Sequence, residues 1–385
     1  MVGALREDWE PLDGSALAVA LAVLRSGPIA RAELARKLDL SSGSLTRLTR
    51  PLIAQGLLVE RAPQLFARTG RPSLPLDVVA ESASFIGVKI TDDTVYAVVT
   101  DLRGDLIDRV EAPLVQTDPQ STVEIISGLA EDLRGRYDRV AGIGIGLAGV
   151  IEQRRLVLRA PILGWEHFPL ADAVTARTGL TCTVENDVKA FTQAEHWFGA
   201  GRGLTSFVVL TVGAGIGCGL VVHDQIVRGH HGVAGAVGHL PLRTEGARCE
   251  LGHVGCARAV LTSGSISRQL TSRRRRSTTF DQALELYRAG NPFAVELLDE
   301  AAYRLGILAG TVANVIGPER MLLSGEGIGF ALLAPDTVRR GLREVAHWSL
   351  GELDLVVEPL EFFEWARGGA AIAILTHVIR HQGHN

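Results

Sequence analysis

Cysteine is scarce in this 385-residue chain: there are four, and only Cys249 and Cys256 stand close together. Cys182 and Cys218 sit singly in apolar surroundings. Such usage excludes a disulfide framework and fits a reducing cytoplasm. No stretch is long, apolar and charge-free enough to span a bilayer, so no membrane partner is expected. The first residues lack a basic segment followed by an apolar one, so no secretory signal is expected either. An excess of one charge is also missing, and the formal net charge of -4 identifies no partner by itself. What is present is ordinary: 46% hydrophobic and 21% charged residues. That composition argues against wholesale disorder, and the length allows two or three domains.

The first part, about residues 12–80, reads as a small helical domain. Residues 15–26 form an apolar helix stopped by Gly27 and Pro28. Residues 30–38 form a short amphipathic helix with Leu34 and Leu38 on one face. After a turn at Asp39, Leu40 and Ser41, residues 42–55 form a third helix, capped by Ser41 or Ser42. Its Leu45, Leu48, Leu52 and Ile53 follow helical spacing. Gly56 ends it, residues 57–60 look like a strand, and a basic loop over 61–71 precedes a second apolar run. This order is that of a winged helix-turn-helix, whose third helix enters the major groove of DNA. Its exposed face offers Ser42, Ser44, Thr46, Arg47, Thr49 and Arg50. All of these can reach phosphates, and Arg47 also a guanine edge. Arg68 and Arg71, around Gly70, suit a minor groove or backbone phosphates. From residue 40 to 71, five Arg stand against one Glu, a local basic footprint. A generic interaction domain of three helices and a hairpin is the plainer alternative.

Residues 81–385 alternate strands and helices, as an α/β fold of two similar halves does. A hairpin turns at Asp92 and Asp93, a helix covers about 123–136, and residues 140–147 make a buried strand. Gly144, Gly146 and Gly149 then match the dinucleotide pattern G-x-G-x-x-G. That pattern needs a helix directly after it, and residues 150–158 read as a strand instead. Glu185, Asn186 and Asp187 end a strand before a helix, where α/β folds place ligands. Asp187 is a candidate general base for a sugar hydroxyl, or merely a helix cap. A glycine-dense loop runs over 211–219, and His239, Cys249, His253 and Cys256 follow it. Residues 324–327 make another turn suited to facing phosphate. The run Arg273, Arg274, Arg275 and Arg276 reads as a solvated loop, with a second DNA contact as the alternative.

The order of these pieces resembles the ROK family (repressor, open reading frame, kinase). The likeness covers nearly the whole chain. It rests on Thr69-Gly70-Arg71-Pro72, on Ala160-Pro161-Ile162-Leu163-Gly164-Trp165, and on Glu185-Asn186-Asp187. The loop at 211–219, Gly235-Ala236-Val237-Gly238-His239, Gly255-Cys256 and Gly368-Gly369-Ala370-Ala371 complete it. The resemblance implies an actin-like, hexokinase-type two-lobed ATPase fold over 81–385. One lobe would span about 81–190 with the C-terminal end, the other about 191–365. The subgroup with an N-terminal winged helix comprises transcriptional regulators of the xylose- and N-acetylglucosamine-repressor type. A cytoplasmic homodimer or homotetramer on a double-stranded operator is then expected, with a sugar or sugar derivative as effector.

Several working positions depart from the family pattern. Lys89 stands where kinases carry the acid that holds magnesium and ATP, and Thr91, Asp92 and Asp93 replace Gly-Gly-Thr. Ala214, between Gly213 and Gly215, lacks the hydroxyl of Gly-Thr-Gly. No ATP, magnesium or catalytic residue is therefore expected. In the sugar site Asn186 and Asp187 are kept, while Ala236 and Arg258 replace glutamates. Asn186, Asp187, Gly213, His239 and Arg258 are the expected effector contacts, and Arg258 suits an anionic ligand. The zinc ligands His239, Cys249 and Cys256 are kept, but Leu251 takes the place of a cysteine. His253 is the candidate replacement; packing around Leu251 without metal is the alternative. The remaining readings are a sugar kinase with an appended domain and a regulator without a small-molecule effector.

Overall fold

The computed structural model describes residues 14–62, 74–230 and 232–380. The chain divides into two compact units, residues 1–203 with 363–385, and residues 204–362.

The first unit begins with helices α1 (Gly14–Ser26), α2 (Arg31–Lys37) and α3 (Ser42–Ala54). Strands β1 (Leu58–Glu60) and β2 (Leu76–Val78) follow as an antiparallel pair. The Ser41 hydroxyl accepts the Ser44 amide and so starts α3. Arg31 ties the group together: its guanidinium donates to Thr49 Oγ1 (2.9 Å) and to Glu60 Oε1 (2.6 Å). Leu34, Leu45 and Leu52 are fully buried. Their apolar cluster continues through Leu76, Phe85 and Trp197 to Ile374 and Val378 of the C-terminal helix Phe362–Arg380. The first three helices thus share a core with the rest of this unit. Arg61, Gly56 and Leu57 lie among the described residues, but Arg68, Thr69, Gly70, Arg71 and Pro72 fall outside them.

The main sheet of this unit uses β3 (Ser84–Ile90), β4 (Thr94–Asp101), β5 (Leu106–Pro113), β6 (Val140–Leu147) and β10 (Cys182–Asn186). Its order is β10-β6-β3-β4-β5, with β3, β4 and β5 antiparallel and β6 and β10 parallel to their neighbours. Helices α4 (Pro119–Arg136), α5 (Leu170–Thr178) and α6 (Asp187–Phe198) connect it. Strands β7 (Val150–Glu152), β8 (Leu156–Ala160) and β9 (Trp165–Phe168) form a separate small sheet. Gly144 proves to be a packing residue. A methyl group there would collide with the Gly369 carbonyl, because the C-terminal helix lies directly on the β6 backbone. The G-x-G-x-x-G match therefore reflects helix-on-sheet contact, and β7 follows it in place of a helix.

The second unit repeats the arrangement. Strands β11 (Phe207–Val212), β12 (Ile216–Val222), β13 (Gln225–Ile226), β14 (Arg320–Ser324) and β15 (Asp354–Val357) form a sheet of order β13-β12-β11-β14-β15. An antiparallel meander again adjoins two parallel strands. Helices α7 (Ala257–Leu261), α8 (Ser263–Arg274), α9 (Phe280–Arg288), α10 (Pro292–Ile316), α11 (Gly329–Leu333) and α12 (Pro335–Val345) cover it. The expected pair of similar halves is present as two sheets of one topology. The arginine run is not a loop throughout. Arg273 and Arg274 close the last turn of α8, where cations suit the helix dipole, and Arg273 pairs with Glu296 at 3.0 Å.

Candidate functional site

Three groups of residues carry the chemistry, and each is built by a strand end or a turn. The first lies at the C-terminal end of β10. The Asn186 side chain caps α6 by accepting the Lys189 amide (3.3 Å), and its Nδ2 donates to the Gly149 carbonyl (3.1 Å). Asp187 opens the helix, with Oδ1 accepting the Val188 amide. Its other oxygen, Oδ2, accepts from the Lys89 ammonium of β3, two strands away across β6. Both residues are 6% exposed. The Trp365 ring lies 5.0 Å from the ammonium, a cation–π contact that further holds it. At the tip of the same hairpin the Thr91 hydroxyl donates to Asp93 and to the Thr94 carbonyl, so it is spent on the turn.

The second group is the glycine turn between β11 and β12. Gly213 N donates to Gly215 O, and Ser263 N, in the first turn of α8, donates to Gly213 O. The Ala214 amide donates to Glu326 Oε1 at 2.9 Å. Arg258 approaches the same turn, its Nη1 3.3 Å from where a Gly215 methyl would sit. The Arg258 Nε is ion-paired with Glu250. The anion-seeking arginine expected from sequence therefore already has a carboxylate partner.

The third group joins His239, Cys249, His253 and Cys256, whose ligand atoms all lie within 4.8 Å of one another. Nδ1 of His239 and Nδ1 of His253 are 3.1 Å apart. Cys249 Sγ is 3.7 Å from the first and 3.6 Å from the second, and Cys256 Sγ is 3.8 Å from His239 Nδ1. A tetrahedral ion with usual zinc–nitrogen and zinc–sulfur bonds needs ligand edges of about 3.3–3.8 Å. The spacing fits a metal with two nitrogen and two sulfur donors. Electrostatics agree. Desolvation, then His253 and Arg258, lower the His239 pKa and keep the ring neutral. At Cys249 burial acts upward, but amide hydrogen bonds from Leu251 and His253 outweigh it and hold the thiol below its ordinary value. Cys256 is raised by burial and by the neighbouring Cys249. Leu251 is 66% exposed, so its side chain does not pack the knot.

On α3, Ser42, Thr46, Arg47 and Arg50 are exposed and Ser44 is half-buried beside the cap. Thr49 is not on that face: it is fully buried, and Arg31 holds it. Helical periodicity alone misplaced it, because Arg31 comes from another helix. Sequence reasoning also missed Glu250 and Glu326 as site residues. A carboxylate in each glycine-rich loop was the available signal.

The ROK family model matches residues 85–374. The chain belongs to the ROK family. It is similar to a glucokinase of Halalkalibacterium halodurans, 29% identical over 299 residues, covering 72% of this chain and 89% of that protein. It is also similar to a xylose repressor of Caldicellulosiruptor bescii, 25% identical over 347 residues, covering 85% and 87%. Among solved structures, a ROK transcriptional regulator described as a homologue of the E. coli MLC protein superposes with a TM-score of 0.81. That neighbour is 24% identical and covers 95% of this chain and 96% of its own. Such coverage requires the residues before Phe85, and it establishes the ROK fold across both units. Among the described residues no helix is long and apolar enough to cross a membrane.

Proposed function

We propose that this ROK protein is a DNA-binding transcriptional regulator, a repressor of carbohydrate-related genes, with a sugar-kinase-like domain that carries no kinase chemistry. The observation that carries the proposal is α3. Its leucines face the core while Ser42, Thr46, Arg47 and Arg50 face outward from one helix. A short capped helix with that face, packed on two others and followed by a strand pair, suits a major groove. Residues 12–80 are then a winged helix-turn-helix and 81–385 the effector and oligomer part. Paired half-sites call for a homodimer, or a homotetramer made of two such dimers. The similarity to the xylose repressor supports this reading, because its coverage also reaches into the residues before Phe85.

The non-enzymatic half of the proposal rests on Lys89. A general base must be free to take a proton from its substrate, and Asp187 is bonded to a buried ammonium. The effector remains of sugar type, with Asn186 and Asp187 as candidate contacts in the first unit and Gly213, His239 and Arg258 as separate candidates in the second. The four-residue His/Cys cluster would hold zinc as a structural ion that fixes the 239–256 loop; no reaction step runs through it. Genome-wide mapping of bound sites tests the proposal, since the adjoining genes identify the pathway. Absence of specific sites would reject it.

The similarity to glucokinase favours a second reading, a sugar kinase with an appended domain. An ADP-release assay with neutral, amino and phosphorylated sugars separates the two. Turnover would establish the kinase.

A further inference from the structure

The turn between β11 and β12 offers an outward amide at Ala214 and, beside Gly215, Nη1 of Arg258, whose Nε is paired with Glu250. The first turn of α8, a 12-residue helix, is bonded to the same turn through Ser263 N and Gly213 O. An amide, a cation and a helix start converging on one glycine turn make an oxyanion cradle. Its groups are not idle. The Glu326 carboxylate, carried by the loop after β14, accepts the Ala214 amide at 2.9 Å. It is pressed onto Gly213 so closely that a methyl group there would overlap it. Glu326 is itself exposed, so nothing but this placement brings it onto the turn. The loop that carries it is fixed from behind, with Gly327 N donating to Val212 O at 2.8 Å.

We propose that Glu326 is a built-in anion occupying the oxyanion cradle at 213–215, and that it excludes phosphate-bearing ligands from this turn. The carboxylate takes the Ala214 amide that a phosphate oxygen would need, and its charge repels a second anion. This holds whether or not the protein binds DNA, so its failure and that of the regulator reading are separate events. Lys89 and Asp187 remove proton transfer; Glu326 acts on a different step, the binding of the phosphate group.

The test uses the full chain and inorganic pyrophosphate as the probe, by isothermal titration on wild type, Glu326→Ala and Glu326→Gln. The alanine variant should bind pyrophosphate about tenfold or more tightly than wild type, because a like charge is removed from the contact. Glu326→Gln, which keeps an acceptor but no charge, should fall between them. A second measurement guards against misfolding. Amide exchange at Ala214 should be slow in wild type, faster in Glu326→Ala, and slow again when pyrophosphate is added. Equal affinity in wild type and Glu326→Ala, or binding in neither, would overturn the proposal. So would unchanged exchange at Ala214.

Discussion

The ammonium of Lys89 on β3 donates to Asp187 Oδ2 at the start of α6, two side chains that are each 6% exposed. The two residues lie 98 positions apart in sequence and meet because β3, β6 and β10 are consecutive in the sheet. A charge buried at such a strand end needs a partner, and here the chain supplies its own.

Removing one partner should be costly. Lys89→Met leaves Asp187 as an uncompensated buried carboxylate and should destabilise the protein by about 3–5 kcal/mol. The double variant Lys89→Met with Asp187→Leu should recover much of that loss. Urea titrations of the wild type, both singles and the double variant measure the coupling. An additive cycle would mean the pair contributes nothing.

On α3, Arg47→Ala should weaken binding to a specific operator by about 1–3 kcal/mol if its guanidinium reads a base edge. Its fold should be unchanged, because Arg47 is exposed. Thr49→Ala should behave oppositely. It removes one of the two acceptors of the Arg31 guanidinium and should cost about 1–2 kcal/mol of stability. Fluorescence anisotropy and thermal melts separate the two effects.

The His/Cys cluster should hold one zinc per chain in protein purified without chelator or tag. Cys256→Ser and His253→Ala should each lower the metal content, and chelation should lower the melting temperature of wild type. Elemental analysis with melting curves decides this. An intact knot with no bound metal at all would contradict it.

Glu319 provides a pH signature within the second unit. The amides of Ser206 and Thr205 lower its pKa below the ordinary glutamate value, and the Thr205 hydroxyl adds to that. A depressed folded pKa contributes stability above the unfolded pKa and loses it as pH falls through the folded one. Glu319→Gln should therefore be less stable than wild type at neutral pH, by roughly 0.5–1 kcal/mol given its exposure. The gap should close below the ordinary glutamate pKa. Denaturation at several pH values checks the sign.

Much of this fold is legible in the sequence alone. Helix α3 appeared from its leucine spacing and Ser41, and β6 from its apolar run, because local pattern sets both. The two-halves arrangement followed from alternating strands and helices. What stayed hidden depended on distant partners. Thr49 looked exposed until Arg31 was placed against it. Arg258 looked like a receptor for anions until Glu250 reached it from within the metal loop. The strand after Gly144 already argued against a nucleotide site, but the reason for the glycine, Gly369 lying on it, is a tertiary contact. His253 was legible as a fourth ligand only as an option, since the bend that brings its Nδ1 to 3.1 Å from His239 Nδ1 is a tertiary fact.

Selection of bound duplexes from a random DNA library with the full chain, followed by affinity measurement on wild type and Arg47→Ala, tests the central claim most directly. A regulator should enrich one sequence with two inverted half-sites, bind it about a thousandfold or more tighter than random DNA, and lose that preference in Arg47→Ala. A chain that enriches no sequence, or whose affinity is the same on every duplex, would contradict the account.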